Sequence, residues 1–395
     1  MDLRQRAAAG FAAAYGAEPQ GVVFTPGRVN LMGDHVDYND GLVLPLPIAA
    51  GTAIAGGAAP DAAVEVIALD LDGARDRFAP GAVSPHQPSD WRSYVRGTAS
   101  ALAERGASAR LAICGSIPRG SGLSSSASLC VAIGRALAAA AGAAIPAPTE
   151  LALAAQQAEH DWAGVNCGIM DQMAVAAGSP GNALLLDCRD LSFRNVPLPA
   201  GWAVMIVQSG VTRGLVDGHY NARRADCEAA ARALGLVSLR DADAAMIAAA
   251  QLEPVARARA LHVVQEIART GLAAQALEAA DLPALGELMR ASHASLRDQF
   301  EVSVPAVDAL VHVLNDAIGV HGGARMTGGG FGGAVVAVLP TDAVPRVTAA
   351  VSADYAAPAG GQVSIMIENA ACGPLGPKDG RDHGATSLPA RRAQQ

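Results

Sequence analysis

Apolar positions recur at helical spacing over residues 3–15, then at alternate positions in short runs at Val22–Thr25, Thr52–Ala55 and Val64–Ala68. A helical pattern covers Trp91–Arg105, and Arg110–Cys114 reads as a strand. Ala- and Leu-rich helices are expected over 124–142 and 149–162, with another near 168–177. Three strands follow, at Ala183–Asp187, Phe193–Pro197 and Ala203–Gln208. From 219 to about 318 the period is helical throughout, with Pro254, Pro283 and Pro305 near helix starts, where a missing N–H costs nothing. Strand patterns return at Ala334–Leu339 and Val363–Ile367, with a helix between them. Strands, then helices, then strands again predict an α+β chain without the βαβα alternation of a doubly wound sheet.

At 395 residues the chain exceeds what one core usually holds, so two domains are expected. Residues 1–190 and 191–371 are taken as the two, with 372–395, rich in Gly, Pro and charge, as a disordered tail. A net charge of −8 with no Lys/Arg run argues against a nucleic-acid partner. No uncharged apolar run approaches membrane-spanning length, and the start lacks a signal-peptide core, so a cytoplasmic protein without membrane partners is expected. The six cysteines show no CxxC spacing and mostly sit among apolar neighbours, which suits buried thiols in a reducing compartment.

Three segments carry candidate chemistry. PGRVNLMGDHVDYNDG (26–41) crowds Arg28, Asp34, His35 and Asp37 beside the apolar LVLPLPI, and buried polar groups need partners. Closely spaced carboxylates suit vicinal hydroxyls, which both donate and accept. A metal held by His35 and Asp37 is the competing reading, weakened by the lack of a second nearby His or Cys. GSIPRGSGLSSSASLCVA (115–132) is a glycine turn opening an apolar helix, a place for an anion at the N–H end of the dipole. A simple serine cap is the bland alternative, but three serines exceed what a cap needs, and the Walker ending GK[ST] is absent. MTGGGFGGAVVAVLP (326–340) holds a formal G-x-G-x-x-G, yet AVVAVL after it reads as a strand, so the dinucleotide fingerprint fails on context. Asp171 in NCGIMDQ and Glu159 in QQAEHDW are acidic residues in apolar frames. Taken alone, Asp171 reads as a cap or ion-pair partner; beside an anion site it becomes a candidate to receive a hydroxyl proton.

Together these segments resemble the GHMP family of small-molecule kinases, and within it the galactokinases. The likeness also runs through LLLDCRDL, YNARRADCEAAARALG, ELMRASHASLRDQFEVSVP and GGARMTGGGFGG, and spans roughly residues 20–370. The resemblance implies an N-terminal ribosomal-S5-like α/β domain, a C-terminal ferredoxin-like domain, and a cleft where ATP and sugar meet. It implies ATP-dependent phosphorylation of D-galactose at the anomeric hydroxyl, with Mg2+ as cofactor. By position, Asp171 is the expected base and Arg28 its support. Asp34, His35, Asp37, Gly168 and Tyr220 match the sugar contacts. Gly120, Ser121, Gly122, Leu123, Ser124, Ser125, Ser126 and Ala127 match the phosphate loop, and Trp91 falls near the adenine. Ser125 and Glu159 match the Mg2+-associated positions. The likeness is to a monomer or weak oligomer with sugar and ATP as its partners. A kinase for a related sugar, such as N-acetylgalactosamine or arabinose, is the nearest alternative; a sugar-binding regulator without turnover is another. One departure stands out: Asp34 replaces the family's usual Glu, which typically contacts the sugar's C6 hydroxyl. Asp34 is expected to reach that oxygen through a water or to leave room for an altered sugar.

Overall fold

The computed structural model describes residues 1–81, 83–85, 90–102, 108–118, 120–211, 217–358 and 363–370. The proposed tail at 372–395 and Cys372 lie outside the described residues. A five-stranded sheet has the order β1 (Gly21–Asn30), β3 (Pro45–Gly57), β6 (Ala109–Gly115), β4 (Val64–Ala68), β5 (Ala74–Phe78). Only the β4–β6 pair is parallel among these. A short sheet joins β2 (Leu42–Val43), β7 (Asn182–Asp187) and β8 (Phe193–Pro197). A four-stranded antiparallel sheet orders β10 (Gly323–Met326), β11 (Ala334–Pro340), β9 (Trp202–Gln208) and β12 (Ile365–Asn369). The α+β expectation holds, with the helical stretch between β9 and β10.

Helices cover the sheets. The first, α1 (Leu3–Tyr15), starts at a capping box in which Asp2 accepts from the Gln5 N–H and Gln5 reaches back. It buries Ala7 and Phe11 against Ala53, Ala55 and Ala112. On the other face of the sheet, α2 (Trp91–Ala101) and α3 (Ser125–Ala140) enclose Ile54, Val66, Leu111 and Ile133. Next come α4 (Pro148–Ala163) and α5 (Met170–Ala177); α6 (Asp217–Ala233), α7 (Ala244–Ala249), α8 (Pro254–Glu278), α9 (Leu282–Asp298), α10 (Pro305–Ile318) and α11 (Val344–Asp354) complete the set. Pro254 and Pro305 open their helices, and Pro283 is the second residue of α9.

The sequence placed a strand only over Val22–Thr25, but β1 continues to Asn30 and so carries Arg28. Its second half is polar yet buried, which hides it from any alternation test. A register shift between Pro26 and Gly27 lets the strand bend. Beyond the bend, Val29, Leu31, Leu44 and Leu46 pack with Val204, Ile206, Val336 and Val338 and with Leu285 and Met289 of α9. Each such side chain contributes roughly 1.5–3 kcal/mol on burial, so this shared core fixes the two halves of the chain against each other. Residue 190 falls in the turn between β7 and β8, which pair from Asn182↔Pro197 to Leu186↔Phe193.

Candidate active site

A cavity of about 450 Å³ opens where β1, α5, α6 and the 327–333 glycine loop converge. Arg28 lies on its wall. The guanidinium grips Asp171 at both oxygens, Nε to Oδ1 at 2.8 Å and Nη2 to Oδ2 at 2.7 Å, while Nη1 donates to the Gly122 carbonyl at 2.7 Å. Nη2 also lies 2.6 Å from Oδ1, so the guanidinium is shared across both oxygens and charge-assisted bonding fixes the carboxylate in place. Ser124 adds a third donor, its Oγ lying 2.6 Å from Asp171 Oδ2.

Ser124 precedes the first residue of α3 in the left-handed region (φ 60°), and its side chain makes no capping bond. Ser126 Oγ donates to Glu159 Oε2 at 3.0 Å, and Ser125 is exposed. The three serines therefore are not spent on capping, and the first-turn N–H groups of a sixteen-residue helix remain available to an anion. Gln172 donates to the other oxygen of Glu159 at 2.8 Å. Burial lifts the Glu159 carboxyl to about 7, despite these bonds.

The other end of the cavity is lined by Asp34, His35, Asp37, Gly168 and Tyr220. Asp37 sits against the N-terminus of α5 and accepts from the Tyr38 and Met170 N–H groups. Burial first, and the nearby charge of Asp171 second, push its carboxyl up to about 6. Gly168 is required here because a Cβ would come 1.9 Å from Asp37 Oδ2. His35, itself left-handed (φ 63°), is held by Tyr38 at 2.9 Å and packs among Tyr220 and Phe300, with ring centroids 5.4 and 4.8 Å away. Asp34 is buried and already engaged: Oδ1 accepts from Asn30 Nδ2 at 3.0 Å and the Gly328 N–H at 3.1 Å, and Oδ2 pairs with Arg325.

A second cavity of about 710 Å³ adjoins the first at Ser126. Trp91, Tyr94, Ile117 and Leu129 give it apolar walls, with Asp70, Asp90 and Ser125 at its polar edge. Gly120 and Gly122 both have positive φ in the turn before α3. Leu123 and Ala127 point into the cores and Ser121 is buried, so these three can offer a ligand only backbone groups there, apart from the Ser121 hydroxyl. The structure thus gathers the expected sugar-end residues with Arg28, Asp171, Ser126 and Glu159 in one cavity, and Trp91 with Ser125 in the next.

Sequence reasoning did not assign Gly328, Gly329, Gly330 or Asn221 to the site, though all four line the first cavity. The MTGGGFGG run was the available signal for the glycines. As expected from the strand-like residues after it, that run is a hairpin loop between β10 and β11. Gly330 (φ 80°) tolerates no side chain, because a Cβ would lie 2.4 Å from the Val302 carbonyl.

Three family models match this chain: the galactokinase galactose-binding signature over residues 9–58, the GHMP kinase N-terminal domain over 93–179, and the GHMP kinase C-terminal domain over 273–357. The galactokinase of Lactococcus lactis, solved in complex with galactose, is 32% identical and superposes with a TM-score of 0.85 over 92% of this chain and 97% of its own. The chain belongs to the galactokinase family. Mevalonate kinase of Methanococcus jannaschii (17% identity, TM-score 0.65, 88% of this chain and 98% of its own) shares the GHMP kinase fold. Phosphomevalonate kinase of Streptococcus pneumoniae (15%, 0.61, 88% and 98%) does so as well. The galactokinase-family signature covers β1 and the polar turn after it, the part of the cavity that carries Arg28 and Asp34–Asp37.

Proposed function

We propose that this protein transfers the γ-phosphoryl group of ATP to the anomeric hydroxyl of D-galactose, giving galactose 1-phosphate and ADP. The observation that carries the reading is the Arg28–Asp171–Ser124 cluster on the wall of the first cavity, which meets the second at Ser126. The polar cavity takes the sugar, and the cavity with Trp91 takes the nucleotide. The phosphates then lie along the turn at Gly120–Ser126 and the start of α3, whose N–H groups face negative charge.

Asp171 is the group we assign to the anomeric hydroxyl. Its carboxylate lines the sugar cavity, where it can take that O–H, while Arg28 and Ser124 prevent it from rotating away. Arg28 also places positive charge beside the transferring group, where charge is spread over the equatorial phosphoryl oxygens. Alignment and electrostatic stabilisation are most of what this reaction asks of a protein.

Mg2+ fits the donor set. Glu159 is a buried carboxylate hydrogen-bonded by a neutral hydroxyl and a neutral amide, and the nearby Asp171 charge offsets the support it has from Arg28, so its burial is under-compensated. One carboxylate with the Ser125 and Ser126 hydroxyls nearby suits an ion that takes most of its ligands from phosphate and water. When bound, Mg2+ neutralises charge on the β- and γ-phosphates. Glu159 and Ser125 or Ser126 are the residues that would hold it.

Asp34, His35, Asp37, Gly168 and Tyr220 are assigned to the sugar. Since both oxygens of Asp34 are engaged by protein groups, a kinase for a galactose relative altered near this residue is the second reading. We further assign the chain to the cytoplasm as a monomer or weak oligomer, and divide it into domains near the β7–β8 turn. ADP release with galactose, its deoxy variants, N-acetylgalactosamine and arabinose tests the sugar assignment. Turnover with none of them would overturn it.

A further inference from the structure

Arg325 is the largest fully buried side chain among the described residues. It projects from β10 beneath the sugar end of the cavity, pairs with Asp34 Oδ2 and donates from Nη1 to the Leu31 carbonyl at 2.9 Å. Its guanidinium also lies 3.9 Å from Glu266 of α8. Glu266 in turn accepts from the Gly33 N–H at 3.1 Å, Ser292 Oγ at 2.7 Å and Arg269 Nε at 2.7 Å. Among the described residues, the bonds from this cluster into the signature end on Leu31, Gly33 and Asp34. Two carboxylates, Asp34 and Glu266, face two guanidiniums, Arg325 and Arg269, so the buried charges balance.

The turn is stitched from the other side too. Thr327 Oγ1 donates to the Asn30 carbonyl and accepts from its N–H, and the Gly328 N–H donates to Asp34. Without Arg325 the Asp34 carboxylate would keep two neutral donors on Oδ1 and, among the described residues, lose its partner on Oδ2. A carboxylate held at one oxygen can rotate about its Cβ–Cγ bond, whereas one held at both cannot.

We propose that Arg325 is a positioning residue that sets sugar selectivity by fixing the Asp34 carboxylate, with Glu266 holding the turn beneath it. This rests on the galactose reading above. Arg325 touches neither the cavity nor the reacting atoms, so its effect belongs in sugar affinity and in the discrimination of one hydroxyl. Asp34 is one methylene shorter than Glu, and the guanidinium holds it back against β10. The sugar group opposite Asp34 is therefore read at a fixed distance.

The test measures Kd by calorimetry and KM and kcat by ADP release for galactose and each singly deoxygenated galactose, at saturating MgATP. Wild type is compared with Arg325→Lys, and thermal unfolding of each is recorded. Arg325→Lys should raise Kd and KM for galactose about tenfold and change kcat less than threefold. It should shrink the penalty for losing one particular hydroxyl about tenfold and leave the other penalties within twofold. In the double variant with Asp34→Asn, that penalty should fall no further, since both changes remove one contact. A folded Arg325→Lys with all penalties unchanged, or with all reduced together, overturns the proposal, as does an additive double variant. Should Arg325→Lys not fold, Glu266→Gln should shift the same penalty at least threefold, and no shift counts against the idea. Wild type that binds galactose without turning it over contradicts the functional reading alone, because Kd still reads Arg325. Wild type that does not bind galactose contradicts both.

Discussion

At the residue scale, the chemistry turns on how Asp171 and Asp37 are held. Asp171→Asn keeps the shape but replaces one acceptor oxygen with a donor facing Arg28. Turnover should fall by roughly 10²–10⁴-fold while nucleotide Kd stays within about threefold, as single-turnover and binding measurements would show. Gly168→Ala drives a methyl into the Asp37 carboxylate. It should raise galactose Kd at least tenfold and cost about 1–3 kcal/mol in denaturant unfolding. Asp37 also predicts a pH dependence. Its carboxyl rises from an ordinary 3.8 to about 6 in the folded protein. Folding therefore favours its protonated form, and that stabilisation is complete below about 4 and lost as pH rises through 6. Sugar binding runs the other way, because the ionised form accepts hydroxyl protons. Galactose affinity should weaken as pH falls through about 6, and Asp37→Asn should remove that inflection.

At the element scale, the start of α3 is the part most open to dissection. Ser125 was the expected metal partner of Glu159, but Ser126 is the serine that bonds to it. Ser126→Ala should raise the Mg2+ concentration for half-maximal rate about tenfold with little change in galactose KM, since a lost support for a ligand typically costs 10–100-fold in metal affinity. A larger Mg2+ effect from Ser125→Ala would reassign direct contact to Ser125. This region also shows what was legible beforehand. The glycine turn and helix were readable because Gly120, Gly122 and the apolar run after Ser126 have local causes. The role of each serine was not, because it depends on Asp171 and Glu159, more than thirty positions away. The second half of β1 was missed for a related reason. Arg28 and Asn30 look like loop residues until Asp171 and Thr327 are brought to them.

At the scale of the whole molecule, the α+β arrangement could be read from periodicity, while the tertiary ties could not. Arg325 stands just before the glycine run and Glu266 sits within a helical pattern, but neither segment shows its partner, which lies more than 200 positions away in the signature. Their burial is visible only once β10 and α8 close beneath the 31–34 turn. Because the site is built from both halves of the chain, sugar binding should stabilise the fold as a whole. Galactose at about 100 times its Kd should add about 2.7 kcal/mol to unfolding, seen as one shifted transition. A separate, unshifted transition would show that the halves unfold independently. The central claim is phosphoryl transfer to the anomeric oxygen at Asp171. Its most direct test is phosphorus NMR of the product formed from galactose and MgATP by wild type and Asp171→Asn. Wild type should give a sugar phosphate coupled to the anomeric proton, and the variant should form it at least a hundredfold more slowly. A phosphate on another sugar oxygen, or equal rates for the two proteins, would contradict it.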